Sequence, residues 1–168
     1  MIARLRAASR GDEGASALEF ALIGLFIVVP LVFGAISFGL VFAGNLATSN
    51  AARQGARLGT VIGGDPANPN DCGDIVTETR DAIKGIGAST SNLSVQVLRG
   101  ASTVCATNGS GTFTTGSATV VPCTAAPDNT SITVYARSYT PIFFIPPYYF
   151  KSNGYPLEGK GVYRCEFK

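Results

Sequence analysis

The chain contains no histidine. The commonest general base and metal-ligating side chain is therefore missing, and neither a Ser/His/Asp nor a Cys/His pair can be assembled. Charge is scarce as well: Asp, Glu, Lys and Arg make up 14% of the 168 residues, against about a quarter in soluble domains. The formal net charge is only +2, so there is no broad basic field for the phosphates of a nucleic acid. No glycine-rich phosphate loop stands in the required strand–loop–helix context. The four cysteines form no close CxxC pair, and without histidine a zinc site is not expected. These absences point away from catalysis. The expectation is a non-enzymatic protein with no cofactor, no metal and no nucleic-acid partner.

The longest absence is of charge itself. Between Glu19 and Arg53 there is no charged residue. The strongly apolar part of that interval, FALIGLFIVVPLVFGAISFGLVF (Phe20 to Phe42), is long enough to cross a hydrocarbon core as a helix, which needs about 20 residues. Arg4, Arg6 and Arg10 precede it, partly offset by Asp12 and Glu13; basic residues on that flank predict a cytoplasmic N-terminus and an exported C-terminal domain. The competing reading is a cleaved secretory signal, with VFAG (Val41 to Gly44) as a small-residue cleavage site. The apolar run exceeds the 7–15 residues usual for such a signal. Pro30 lies inside the run and predicts at most a bend.

Cys72, Cys105, Cys123 and Cys165 all follow the apolar run, as expected for a domain in an oxidising compartment. Four cysteines suggest two disulfides with three possible pairings. Cys105–Cys123 would pin the Gly/Ser/Thr-rich segment between them, leaving Cys72–Cys165 to tie the start of the exported domain to its end.

The sequence divides into a basic leader or cytoplasmic segment (1–14), a long helix through and beyond the membrane (15–63), and an exported disulfide-containing domain (64–168). GGDPANPND (Gly63 to Asp71) ends the helix with two glycines and two prolines. The helix carries a stripe of small residues at every fourth position: Ala35, Gly39, Ala43, Ala47, Ala51, Gly55, Gly59 and Gly63. Such a row lets another backbone approach closely. Ala47, Ala51, Gly55 and Gly59 are the strongest packing candidates, against a neighbouring helix or against the chain's own domain. Glycine costs about 1 kcal/mol relative to alanine in a helix, so the glycines imply a packing reason.

The exported part reads as α+β. DIVTETRDAIKGI (Asp74 to Ile86) puts Ile75, Val76, Ala82, Ile83 and Ile86 on one helical face. LSVQVL (Leu93 to Leu98), SITVYARSY (Ser131 to Tyr139) and KGVYRCEF (Lys160 to Phe167) read as strands. Residues 100–128, rich in Gly, Ser, Thr and Ala, read as a surface excursion with room for a short hairpin. One helix on a roughly three-stranded antiparallel sheet is the simplest architecture. TPIFFIPPYYF (Thr140 to Phe150) is apolar, but its prolines exclude a central strand. It reads as a loop folded onto the domain's own core, a docking patch, or a segment at the membrane interface. NLS, NGS and NTS match the glycosylation acceptor pattern, a pattern common by chance in Asn/Ser/Thr-rich sequence.

GASALEF (Gly14 to Phe20) stands at the mouth of the apolar run. Ser16 and Glu19 have the spacing of a capping box, and an acid suits the positive end of a helix dipole. The wider context resembles the processing site of type IV pilin precursors: a basic leader ending in Gly14, small residues, Glu19 five positions on, the aromatic Phe20, then the membrane helix. More closely, RGDEGASALEFALIGLFIVVPLVFGAISFG (Arg10 to Gly39) followed by NAARQGARLG (Asn50 to Gly59) resembles the TadE-like family of minor pseudopilins of the tight-adherence (Tad) pilus. Phe20 departs from the Glu-Tyr pair typical of the major pilins of that system, which favours the minor class.

The resemblance implies cleavage between Gly14 and Ala15 by a membrane prepilin peptidase. Glu19 would then pair with the new Ala15 ammonium of a neighbouring subunit, with Phe20 beside it. An unpaired carboxylate near hydrocarbon is costly, and pairing offsets part of that cost while fixing register. The implied partners are other pilin subunits, the pilus assembly machinery, the prepilin peptidase and the bacterial inner membrane, with the C-terminal domain in the periplasm or on an extracellular fibre with a part in adhesion. The alternative class is a single-pass membrane-anchored binding module of the envelope that does not polymerise.

Overall fold

The computed structural model describes residues 11–60, 70–84, 92–124, 130–140 and 154–165, with side chains from Ser16 onward. The expected loop residues 141–150, most of the 63–71 helix stop, Ile86, Glu166 and Phe167 lie outside them.

The apolar run forms helix α1 (Gly11–Ile23), a single π-helical turn (Gly24–Val28) and helix α2 (Val29–Thr60). From Ser16 to Thr60 this is one rod of 45 residues, about 68 Å long at 1.5 Å per residue. The π turn has a local cause. Pro30 has no N–H, and its ring would press on the carbonyl four residues back, that of Phe26. Widening the helix just before it relieves that contact: Val29 N–H bonds the Gly24 carbonyl, five residues away. Both flanking residues keep right-handed helical dihedrals, so the proline is absorbed without interrupting the rod.

Helix α3 (Cys72–Lys84) follows. Asp71 and Asp74 cap it reciprocally: Asp74 N–H donates to Asp71 Oδ1 (3.0 Å) and Asp71 N–H to Asp74 Oδ2 (3.3 Å). Two further N-terminal amides, of Cys72 and Gly73, donate to the Val120 and Ala118 carbonyls at 2.8 Å each. The helix start is thereby fastened to the segment after β3, and few of its orphan donors are left unpaired.

The sheet has five antiparallel strands: β1 (Ser94–Arg99), β2 (Ser102–Thr107), β3 (Phe113–Thr115), β4 (Ser131–Thr140) and β5 (Tyr155–Arg164), in the order β3-β2-β1-β4-β5. This exceeds the three strands expected. β2 and β3 arise within the Gly/Ser/Thr-rich excursion, where STVCAT and FTT lack an apolar pattern of their own. They are held by the ladder to β1 and by turns at Gly100 (φ 59°) and Gly111 (φ 91°). The Asn108 side chain also accepts from the Ser110 and Thr112 amides at 3.1 and 2.9 Å.

β5 begins five residues earlier than the sequence pattern indicates, because Pro156 and Gly159 interrupt the alternation ahead of Lys160. As an edge strand it tolerates the proline; its glycines have another purpose, described below.

Inward side chains align in register across the sheet: Val95 beside Ala136 beside Gly159, and Val97 beside Val134 beside Gly161. They meet Ile75, Val76 and Ile83 of α3 and Ala51, Ala52 and Ala56 of α2 in one buried core. Helices α2 and α3 thus cover one face of the sheet. The opposite face is polar and aromatic. There Arg137 Nε lies 3.0 Å from Glu158 Oε2, and the Lys160 ammonium stands 5.6 Å from the Tyr135 ring centroid.

The disulfides are Cys72–Cys105 and Cys123–Cys165, which corrects the expected pairing of Cys105 with Cys123 and Cys72 with Cys165. The reason is strand pairing. β2 turns Cys105 inward beneath the start of α3, where Cys72 lies, both fully buried. Cys165 follows β5 and is held beside the start of β4 by its amide bond to the Thr130 carbonyl (3.0 Å), at the sheet end that Cys123 reaches. The Cα–Cα separations are 6.5 and 5.7 Å, within the range that disulfide geometry allows.

Candidate functional site

The candidate assembly surface is the long helix, and its two halves differ. From Ser16 to Ala43 nearly every side chain is exposed, including Phe20 (79%), Phe26 (70%) and Phe38 (74%). In water such a surface would be unfavourable over its whole length, at roughly 25 cal/mol per Å² of apolar area. It requires hydrocarbon or other helices around it, and it is long and apolar enough to cross a membrane.

Glu19 and Phe20 lie on this exposed half, within α1. Gly14 and Ala15 are also within α1, so in the uncleaved chain the Gly14–Ala15 bond has helical backbone. The helix already runs from Gly11, which removes Ser16 as its N-cap: the Ser16–Glu19 capping box expected from spacing sits inside the helix. Nothing in the described contacts gives Glu19 a partner within the chain, and the assembly role implied by the resemblance concerns a second subunit.

From Gly44 onward two neighbouring rows of small residues turn into the domain. Ala47, Ala51, Gly55 and Gly59 form one row, all buried. A side chain at Gly55 would meet Thr79 Oγ1, and one at Gly59 would lie 2.7 Å from Ile75 Cδ1; this row therefore packs on α3. Thr79 is itself tied back, its hydroxyl donating to the Ile75 carbonyl (2.7 Å).

The second row is Gly44, Thr48, Ala52 and Ala56, again buried, and it packs on the sheet. Gly159 and Gly161 of β5 lie directly against the Thr48 and Ala52 carbonyls, with no room for a Cβ at either glycine. Thr48 Oγ1 donates to the Gly44 carbonyl (2.8 Å) and lies 3.3 Å from Ser138 Oγ on β4. Helix backbone thus rests on strand backbone. The stripe seen in the sequence is consumed, over residues 47–59, by the chain's own domain.

Sequence reasoning missed Gly159, Gly161 and Thr48. The available signal was alternation: in LEGKG the glycines stand two apart, at the inward positions of a strand, where a close approach accounts for them.

The helix meets the domain without a linker. A Cβ at Gly44 would lie 2.7 Å from Leu157 Cδ1 and 3.1 Å from Thr140 Oγ1, so the ends of β4 and β5 stand level with Gly44. Two turns further towards the N-terminus on the same face, Ser37 is buried, and its hydroxyl has no hydrogen-bond partner among the described residues. The groove where helix and β5 diverge has a volume of about 250 Å³ and is walled mainly by Phe38, Val41, Phe42, Tyr155 and Leu157.

No group of His, Cys, Asp and Glu that could hold a metal ion occurs among the described residues, and all four cysteines are in disulfides.

The fold therefore defines a class: a protein whose N-terminal helix, long and apolar enough to cross a membrane, continues unbroken into a small disulfide-bonded α+β domain. Over that helix the chain is similar to the TadE-like family: residues 14–57 match the family model of TadE-like protein. The match spans the exposed half and most of the half buried in the domain. No curated protein and no solved structure matches the chain.

Proposed function

We propose that this protein is a non-enzymatic minor pilin (pseudopilin) that joins or primes assembly of a Tad-type pilus. The observation that carries the reading is the TadE-like match over residues 14–57, which covers Gly14, Ala15, Glu19 and Phe20 and supports a pilus-associated, minor-pilin-like role. The leader is removed after Gly14, the domain faces the periplasm, and Glu19 pairs with the freed ammonium of Ala15 on a neighbouring subunit. An exposed Glu19 on an otherwise apolar helix is consistent with a partner supplied from outside the chain, since a carboxylate near hydrocarbon is stable only when paired. The surface left for other pilin subunits is residues 16–43, because the row from Ala47 to Gly59 is occupied by the domain.

That occupation also favours a second reading, a membrane-anchored binding module that never polymerises. The same experiment separates them. The protein is produced with and without the prepilin peptidase, and its N-terminus is read by mass spectrometry. Processing to Ala15 and recovery in sheared fibres is expected; Met1 retained in the presence of active peptidase excludes the pilin reading. Glu19→Gln is expected to be cleaved but poorly incorporated, and wild-type incorporation of that variant would remove the ion pair from the mechanism.

A further inference from the structure

We propose that the groove at the root of the domain seats a phospholipid of the leaflet on the domain side, so that the domain is docked on the bilayer surface as well as tethered to it. The inference rests on the membrane-spanning reading of the helix and not on fibre assembly.

The level of the groove is fixed by the rod. The apolar run from Phe20 to Phe42 is about 35 Å long, slightly more than a hydrocarbon core of about 30 Å. Its end therefore falls at the interface. The next polar side chain, Asn45, stands at the top of the groove, while Phe38, Val41 and Phe42 form the wall nearer the membrane. The far wall is the start of β5, with Tyr155 43% exposed. Tyrosine at this depth suits the interface, where its amphipathic ring is favoured.

The groove is thus apolar on the membrane side and polar above, which matches the upper acyl chain and glycerol of a phospholipid. It is also continuous with the exposed apolar surface of residues 16–43, which the same lipid must cover. Because α2 runs unbroken from Val29 to Thr60, no hinge lets the domain lift away, and the groove stays at this depth.

The test uses the full chain in nanodiscs of phosphatidylethanolamine and phosphatidylglycerol, one copy per disc. The probe is a phospholipid with a diazirine near the carbonyl end of one acyl chain. After irradiation and trypsin digestion, the peptide Ser152–Lys160 is expected to carry label several-fold above Gly161–Arg164, which comes from the far half of the same strand. Val41→Trp, which fills the groove from a half-exposed helix position, is expected to cut the Ser152–Lys160 label several-fold and to leave the label in the anchor peptide Gly11–Arg53 unchanged. Label in Gly11–Arg53 with none above background in Ser152–Lys160 overturns the proposal. So does label there that Val41→Trp does not reduce. A second copy of the chain is the competing occupant; single-copy discs remove it, so a groove built for a protein neighbour fails this test. Absence of label in Gly11–Arg53 would instead refute the membrane-spanning reading itself.

Discussion

The two halves of the long helix share a residue vocabulary but differ in what surrounds them. On the domain half, Gly44, Gly55 and Gly59 each have a neighbour where a Cβ would go; on the apolar half, Gly24, Gly34 and Gly39 have nothing within 4 Å. A glycine costs helix stability wherever it sits. In the first case close packing within the chain returns that cost. In the second, any return has to come from lipid or from another molecule. A small-residue stripe read along a sequence is therefore two different devices joined end to end, and only the tertiary structure shows where one stops, at Gly44.

The largest expected effect is on the wall that holds the domain half in place. Cys72–Cys105 closes a separation of 33 residues and fastens α3, against which Gly55 and Gly59 pack. Loop-closure entropy assigns such a link about 4 kcal/mol. The double variant Cys72→Ala/Cys105→Ala is expected to lose most of the stability of this small domain, read as a fall in the melting temperature of the full chain in detergent. A non-reducing peptide map supplies the companion check: it should return the 72–105 and 123–165 links, and recovery of a 105–123 peptide would contradict the strand pairing described here.

Next in size is Gly159→Ala. Its Cβ would press on the Thr48 carbonyl, which is backbone and cannot rotate away. The helix must lift from β5, at an overpacking cost of about 3 kcal/mol, or roughly 12–24 °C in melting temperature for a domain near 100 residues. A melt within a few degrees of wild type would show that α2 does not rest on the strand backbone.

These two sites also show why the sequence was legible in part. The membrane run announces itself by its unbroken apolar length, and α3, β1 and β4 do so because each buries one face through its own periodicity, as Ile75, Val76 and Ile83 do on α3. The first half of β5, Tyr155 to Gly159, did not, because Gly159 is an inward residue chosen for the absence of a side chain, and hydropathy alternation cannot register an absence. β2 and β3 were legible only as room for a short hairpin, for a related reason: their order comes from pairing with β1 and from Cys105, both non-local. The disulfide pairing failed with them, since it follows from strand order. Of the candidate assembly residues, Glu19 and Phe20 stood out by their position at the edge of a charge-free interval. The two destinations of the stripe carried no local signal.

Gly55→Ala should have a much smaller effect. The new methyl meets Thr79 Oγ1, the end of a side chain that can change rotamer by giving up its bond to the Ile75 carbonyl. That loss is of order 1 kcal/mol, and alanine returns about 1 kcal/mol of helix propensity. The melting temperature should therefore move by only a few degrees in either direction. A loss as large as that of Gly159→Ala would mean that α2 and α3 are pressed together as tightly as helix and strand.

The smallest effect on the isolated protein, and the most informative for the comparison, is expected from Gly39→Leu. Ala35, Gly39 and Ala43 continue the four-residue row into the exposed half, and a Cβ at Gly39 would have nothing within 4 Å among the described residues outside its own helix turn. Leucine is a better helix former and is at home in hydrocarbon, so the variant should insert and melt as wild type does. If residues 16–43 pack against other pilin helices, however, a bulky side chain in the small-residue row holds the backbones apart, and incorporation into sheared fibres should fall while cleavage after Gly14 continues. Unchanged incorporation would assign the outer half of the stripe to lipid, leaving Glu19 as the feature of that half that addresses another subunit. An altered melting temperature would instead show that the apolar half touches the domain.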